Sequence, residues 1–133
     1  MQTRAIILKK QNTNEYDQLV TCYTQELGKV TAIAKSILKP SSIQAMHLDL
    51  LNLVDFELIE GKAMPIITGA QIEDGYLNLK HDLKRLCCGY FFAEVIDKIG
   101  FEYQRDDNLW NFLAATLDEL NNSDSGTKEL MDR

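Results

Sequence analysis

The chain has 133 residues, which is the length of one ordinary domain or two very small ones. Hydrophobic residues make up 45% and charged residues 26%, and this composition excludes a chain that is disordered throughout. Fourteen Lys and Arg against twenty Asp and Glu give a net charge of −6, which argues against a general polyanion binder.

Five extended runs precede residue 76. Alternating or β-branched residues predict strands at positions 3–10, 18–25, 30–34, 48–60 and 64–72. Gly28 supplies a tight turn between the second and third runs, so these two form a hairpin. Five strands without intervening helices predict a small antiparallel barrel or sandwich, and a partly open barrel best removes exposed strand edges.

After residue 76 the apolar period becomes helical. Two apolar stripes predict a helix from about residue 77 to 99 that is buried on most sides and ends at Gly100. Residues 106–108 offer caps for a second helix with Leu109, Leu113, Leu117 and Leu120 on one stripe and Trp110 beside it. Two helices alone cannot bury both apolar stripes of the first helix. We therefore expect the barrel, a continuation of the chain or a partner protein to cover the remaining apolar surface.

These elements predict an α+β protein with three parts. Residues 1–76 form a five-stranded barrel domain, residues 77–121 form a small, incomplete helical domain, and residues 122–133 form a flexible tail. The apolar run at residues 5–8 is too short for a secretory segment, and no stretch approaches a membrane span. We therefore expect a soluble, cytoplasmic protein.

Residues that could carry catalysis are few. Glu15 and Asp17 could bind a cation, but a solvated loop pair is the simpler interpretation. His47 and His81 show no metal-ligand spacing, and Glu94 is either a buried acid or a partner in a structural ion pair. Three cysteines without a CxxC predict reduced, mostly buried thiols, and no glycine-rich phosphate loop is present. The sequence predicts neither an enzyme nor a metal or other cofactor.

Charge is unevenly divided along the chain. Residues 1–46 carry six basic and three acidic groups, or +3, whereas residues 47–133 carry eight basic and seventeen acidic groups, or −9. Tyr16 and Tyr23 lie among these first lysines, and barrels that bind single strands combine cations for phosphates with aromatic rings for bases. The alternative is that the lysines only increase solubility, and the residues alone favour neither interpretation.

The first half of the chain resembles the RecO family of recombination mediators. The matching segments, in order, are AIIL at 5–8, EYDQLVT at 15–21, YTQELGK at 23–29, AK at 34–35, residues 50–61 and residues 83–94. The resemblance implies an OB barrel followed by a helical domain, and binding to single- and double-stranded DNA with strand annealing or recombinase loading. It also implies two protein partners, a RecR-like mediator and single-strand-binding protein. The implied location is the nucleoid, and the resemblance implies neither membrane binding nor a small-molecule substrate.

Two hypotheses follow. In the first, the barrel binds DNA through seven side chains: Lys9, Lys10, Tyr16, Tyr23, Lys29, Lys35 and Lys39. In the second, the chain is a protein adaptor with little DNA affinity, because Ser36 and Ile43 stand where family members usually have glycine and arginine. The four-cysteine zinc motif of many members has no counterpart, and the chain resembles a short or truncated member.

Overall fold

The computed structural model describes residues 1–35, 37 and 47–122. Five strands form a closed barrel in the order β1-β2-β3-β5-β4. Their bounds are β1 (Gln2–Asn12), β2 (Gln18–Thr24), β3 (Gly28–Ala34), β4 (Leu53–Ile59) and β5 (Ile66–Asp74). The predicted fold class, a five-stranded OB-like barrel followed by helices, is confirmed.

One parallel contact closes the barrel. The β1–β2, β2–β3, β1–β4 and β4–β5 pairs are antiparallel, whereas β3 meets β5 in parallel at Ile33 and Ile66. Gln18 faces both Asn12 and Ala34. The β1–β2 loop, the end of β3 and the β4–β5 loop therefore lie at the same end of the barrel.

Side chains alternate strictly between buried and half-buried positions along β3, and the buried ones help to fill the barrel interior. The burial pattern of this strand places Val30, Ala32 and Ala34 inside. Ile7 and Phe56 are 0% and 1% exposed in the same cluster. Burying each large aliphatic or aromatic side chain contributes roughly 1.5–3 kcal/mol, so this cluster stabilises the closed barrel.

A second core joins the helices to the outside of the barrel. The helices are α1 (Leu77–Lys80), α2 (Leu83–Ile99) and α3 (Asp107–Asn122). The barrel contributes Ile6, Leu8, Tyr23 and Leu53 to the cluster, and the helices contribute Leu79, Ile96, Trp110, Leu113, Leu117 and Leu120. The barrel therefore covers one stripe of α2, but Leu83 and Phe91 are 76% and 63% exposed, so the expectation of a helix buried on most sides is wrong. The predicted stripe of α3 is buried except at Leu109, which is half-buried.

Most strand boundaries differ from the prediction by about two residues, and two differences are larger. The fourth strand begins at Leu53, because residues 48–51 form a turn in which Leu51 has a φ of 67°. The long helix is interrupted after Lys80, and Asp82 caps α2 by accepting hydrogen bonds from the backbone N–H groups of Lys84 and Arg85. No helix in the described part of the chain has the length and apolar character needed to span a membrane.

Candidate nucleic-acid interface

A basic cleft lies at one end of the barrel, between the end of β3 and the β4–β5 loop with the start of β5. Lys35 follows β3 and Lys62 lies in the β4–β5 loop, and both side chains are exposed. The cleft has a volume of about 750 Å³ and includes Glu60 as its acidic residue. Within residues 1–35 and 47–122, neither Lys35 nor Lys62 forms an ion pair. We call this feature the Lys35–Lys62 cleft; Ile33, Gly61, Ala63, Met64 and Ile66 complete its lining.

Tyr16 lies in the β1–β2 loop at the same end of the barrel. The side-chain oxygen of Asn14 accepts hydrogen bonds from the backbone N–H groups of Tyr16 (3.0 Å) and Asp17 (2.9 Å). This arrangement fixes the loop while leaving Tyr16 39% exposed. Glu15 and Asp17 belong to the loop, as the simpler interpretation held, and the Asn14 side-chain amide donates to Asp17 at 3.0 Å.

Asp97 of α2 holds two of the predicted lysines. The Lys9 ammonium lies 3.3 Å from one carboxylate oxygen of Asp97. The Lys29 ammonium lies 3.7 Å from the other carboxylate oxygen and donates to the Asp97 backbone carbonyl at 2.7 Å. The Lys29 side chain is 19% exposed, whereas that of Lys9 is 61% exposed. Both lysines therefore attach α2 to the outer face of the barrel.

A second carboxylate lies between Lys10 and Lys80. Asp49 is 3.8 Å from each of the two ammonium groups. Burial lowers the pKa of Lys80, and the nearby Asp49 opposes this shift. Lys80 also donates a hydrogen bond to the side-chain oxygen of Asn52. Lys10 is therefore already engaged within the chain, with 24% of its side chain exposed.

Tyr23 does not share the surface with these lysines. The residue is 1% exposed and belongs to the core between the barrel and the helices. Burial raises the pKa of its hydroxyl, with Asp106 and Asp107 adding to the effect. A Cβ on Gly100 would lie 3.1 Å from the Tyr23 ring, which shows how closely the chain after α2 covers it. The remaining predicted residue, Lys39, lies outside the described residues.

Lys62 is the cleft residue that sequence reasoning missed. It appears in the sequence only as part of a turn in the acidic half of the chain. Its position beside Lys35 depends on the parallel contact between Ile33 and Ile66. The available signal is topological: in a closed five-stranded barrel of this kind, the loop before the last strand lies beside the end of the third strand.

The residues considered for catalysis are either exposed or engaged in contacts that stabilise the fold. The imidazole Nδ1 of His47 accepts a hydrogen bond from the backbone N–H of Ile72 at 3.2 Å, and His81 is exposed. Glu94 is exposed and pairs with Lys98 at 3.2 Å along the same helix, so the interpretation as a buried acid is wrong. Among the described residues, no group of three or more potential ligands could hold a metal ion.

The cysteines are in three different environments. Cys22 is fully buried inside the barrel, and burial raises the pKa of its thiol to about 12. Cys88 is also buried, and burial raises its pKa. Cys87 is exposed on α2, so two of the three thiols are buried, in agreement with the expectation of mostly buried thiols.

Comparisons with known proteins agree with this architecture. Residues 1–76 match the family described as Recombination protein O N terminal, and residues 80–132 match Recombination protein O C terminal. The chain is similar to the DNA repair protein RecO of Dehalococcoides mccartyi, with 32% identity over 120 residues, covering 90% of this chain and 47% of the relative. The corresponding protein of Moorella thermoacetica is 31% identical over 119 residues, covering 90% and 45%.

The match also extends to more distant relatives. The DNA repair protein RecO of Acetivibrio thermocellus is 24% identical over 131 residues, covering 98% of this chain and 52% of the relative. The chain thus spans about half the length of the curated relatives it matches.

Proposed function

Since the chain belongs to the RecO family of recombination proteins, we propose that it acts in DNA repair and recombination by binding DNA at the Lys35–Lys62 cleft. The observation that carries this proposal is the pair of exposed lysines at the barrel end, which form no ion pair within the described residues. Cations of this kind neutralise backbone phosphates irrespective of sequence.

The location of the cleft supports the same function. OB barrels bind oligonucleotides on the face of the second and third strands, between the β1–β2 and β4–β5 loops. Here Tyr16 lies on the first of these loops and Lys62 on the second, with Lys35 at the end of β3. The two lysines contact phosphates, and the exposed Tyr16 ring provides a surface on which one base stacks.

The other predicted lysines extend the proposed DNA-binding surface beyond the cleft, and we call the whole surface the DNA track. Lys9 and Lys10 lie on β1, and DNA phosphates compete there with the carboxylates of Asp97 and Asp49. Lys29 is a weaker candidate because its ammonium group is held by two acceptors on Asp97. Lys39 remains a proposed contact. Tyr23 is left out of the proposed set because its ring is buried.

The wider activity of the family extends this proposal. We propose that DNA held on the barrel serves strand annealing or recombinase loading, as a non-catalytic step. The proposed partners are single- and double-stranded DNA, a RecR-like mediator and single-strand-binding protein. The proposed location is the cytoplasm at the nucleoid.

Fluorescence anisotropy of a labelled single-stranded oligonucleotide at several salt concentrations tests the DNA site. The Lys35→Glu, Lys62→Glu double variant should bind more weakly than the native chain. The slope of log affinity against log salt should fall in magnitude by about 1.4, because each lost phosphate contact contributes about 0.7 on single strands.

A matched control variant separates a local effect from net charge. Lys98→Glu reverses the charge of an exposed lysine on α2, and Lys98 lies far along the chain from the cleft segments. The loss of DNA affinity per reversed charge should be much smaller for Lys98→Glu than for the double variant. Equal effects from equal changes in charge would contradict a defined site at the cleft.

The second candidate function is a protein adaptor with little DNA affinity. The observation that favours it is that several cations of the barrel are already paired: Arg4 with Glu73, Lys9 and Lys29 with Asp97, and Lys10 with Asp49. If the native chain shows no salt-dependent DNA binding but captures a RecR-like partner, the adaptor is the correct function.

A further inference from the structure

An apolar pocket adjoins the Lys35–Lys62 cleft along the β4–β5 loop. It has a volume of about 490 Å³, and apart from Glu60 the side chains that line it are apolar or aromatic. The barrel contributes Leu27 and Ile59, and the segment between α2 and α3 contributes Tyr103. We call this feature the Tyr103 pocket; the lining residues that it shares with the cleft are Glu60, Gly61, Ala63 and Met64. An apolar space that fits a small organic group therefore lies next to a cationic one.

Two segments attached to one edge of β3 form walls of the Tyr103 pocket. Near the start of β3, the backbone carbonyl of Lys29 accepts a hydrogen bond from the N–H of Tyr103 at 3.1 Å. Near its end, the N–H of Ile33 donates to the carbonyl of Pro65 at 2.9 Å. Four residues of a strand span roughly 13 Å. The two attachments therefore leave room for a flat ring between Tyr103 and Pro65.

The Tyr103 side chain is exposed although its backbone is held in place. The residue is 55% exposed, and its φ of 56° lies in the left-handed region that few residues other than glycine adopt. The hydrogen bond to Lys29 fixes the backbone at this point. An exposed aromatic ring in a fixed position provides a face on which a nucleobase stacks.

The charged groups around the Tyr103 pocket favour a base over a phosphate as its occupant. Glu60 belongs to the lining and Glu102 precedes the lining tyrosine, and both carboxylates repel a phosphate. The ammonium group of Met1, which also lines the pocket, lies 2.9 Å from a carboxylate oxygen of Glu57 and is already engaged. The cations proposed to hold phosphates lie in the adjoining cleft.

We propose that the Tyr103 pocket binds one base of a single-stranded DNA whose phosphates lie in the Lys35–Lys62 cleft. The Tyr103 ring stacks on this base, as a second aromatic contact besides Tyr16. The inference rests on the proposed DNA-binding function and makes the site selective for single strands, because the bases of a duplex are paired and stacked on one another. A base fits better than an apolar protein segment because the pocket shares its loop with the cationic cleft.

Fluorescence anisotropy with a labelled single-stranded oligonucleotide and with an abasic strand of the same length tests the base contact. Tyr103→Asn removes the ring, and asparagine adopts the left-handed conformation more readily than most residues. This variant should bind the oligonucleotide about tenfold more weakly, since base stacking supplies affinity of this order. Its salt slope should not change, because stacking neutralises no phosphate. Its affinity for the abasic strand should equal that of the native chain.

Two further variants serve as controls. Tyr103→Phe keeps the ring and should bind both strands as the native chain does. Phe101→Asn removes a 71% exposed ring from the same segment, outside the lining of the Tyr103 pocket, and should also leave both affinities unchanged. Circular dichroism confirms that each variant is folded.

The outcomes separate this proposal from the proposed function. Equal binding of the oligonucleotide by Tyr103→Asn and the native chain, or equal losses for the oligonucleotide and the abasic strand, overturns the base contact alone. The proposed function then still stands if the Lys35→Glu, Lys62→Glu variant loses salt-dependent affinity. Weaker capture of a RecR-like protein by Tyr103→Asn with unchanged DNA binding would make the pocket a protein site and overturn the proposal. A native chain without salt-dependent DNA binding overturns both.

Discussion

Gly28 shows how one residue serves two parts of the structure. Its φ of 71° forms the turn between β2 and β3, a conformation that glycine adopts without steric cost. A Cβ at this position would also lie 2.1 Å from the backbone oxygen of Gln104, in the segment between α2 and α3. The sequence predicted the turn, but the close approach of Gln104 depends on tertiary packing.

Gly28→Ala should therefore destabilise the fold. The left-handed conformation alone costs an L-residue roughly 1–2 kcal/mol, and the contact with Gln104 adds to this. Gly69→Ala is the matched control, because its Cβ would meet nothing within 4 Å. Urea denaturation should show a large loss of unfolding free energy for Gly28→Ala and a change within about 0.5 kcal/mol for Gly69→Ala. Similar losses for both would contradict this assignment.

At the scale of elements, the hydrophobic pattern predicted the strands and helices where alternation was clear. β3 and the second half of β4 have one buried and one wetter face, and α3 has one buried stripe. The pattern failed at residues 48–51, where buried leucines belong to a turn. The backbone N–H of Leu51 donates to the carbonyl of Ile7, so this turn is packed on β1. An apolar run alone does not distinguish a strand from a buried turn.

The break between α1 and α2 was missed for a different reason. Leu79, Leu83 and Leu86 keep a helical spacing across it, so the pattern predicts a continuous helix. Asp82 interrupts the helix because its carboxylate accepts from the backbone N–H groups of Lys84 at 3.0 Å and Arg85 at 3.3 Å. Side-chain bonding to nearby backbone is the reason that aspartate favours helix starts.

Asp82→Ala should cost about 1 kcal/mol of unfolding free energy, because two N–H groups at the start of α2 lose their acceptor. Asp82→Asn keeps a side-chain oxygen at the cap and should lose much less. The ion pair of Asp82 with Arg85, at 3.6 Å, adds little, since Asp82 is 45% exposed. Thermal denaturation of both variants measures the difference. An equal loss for alanine and asparagine would show that charge, and not capping, stabilises this helix start.

At the scale of the whole molecule, the candidate site was only partly predictable. Lys35 was predicted from the local excess of basic residues, and the structure leaves its side chain exposed. Lys62 comes from a distant turn, and Asp97 lies far along the chain from Lys9 and Lys29, which it engages. These relations depend on barrel closure and on the attachment of α2, and neither leaves a local pattern in the sequence.

In the proposed function, the contact between Asp97 and the barrel links the position of α2 to DNA binding. Asp97 pairs with Lys9 and so competes with a DNA phosphate for the Lys9 ammonium group. Asp97→Asn removes this competing charge, and the 61% exposed Lys9 side chain becomes available to DNA. Lys29 should change less, because its 2.7 Å hydrogen bond to the Asp97 backbone carbonyl survives the substitution.

We therefore expect Asp97→Asn to bind single-stranded DNA more tightly at low salt. The salt slope should steepen by about 0.7, the contribution of one further phosphate contact. Asp55→Asn, on β4, changes the net charge equally and serves as the control. Fluorescence anisotropy across a salt series compares the two variants. If both show the same affinity and the same slope, long-range charge alone is responsible, and Lys9 is not part of the DNA track.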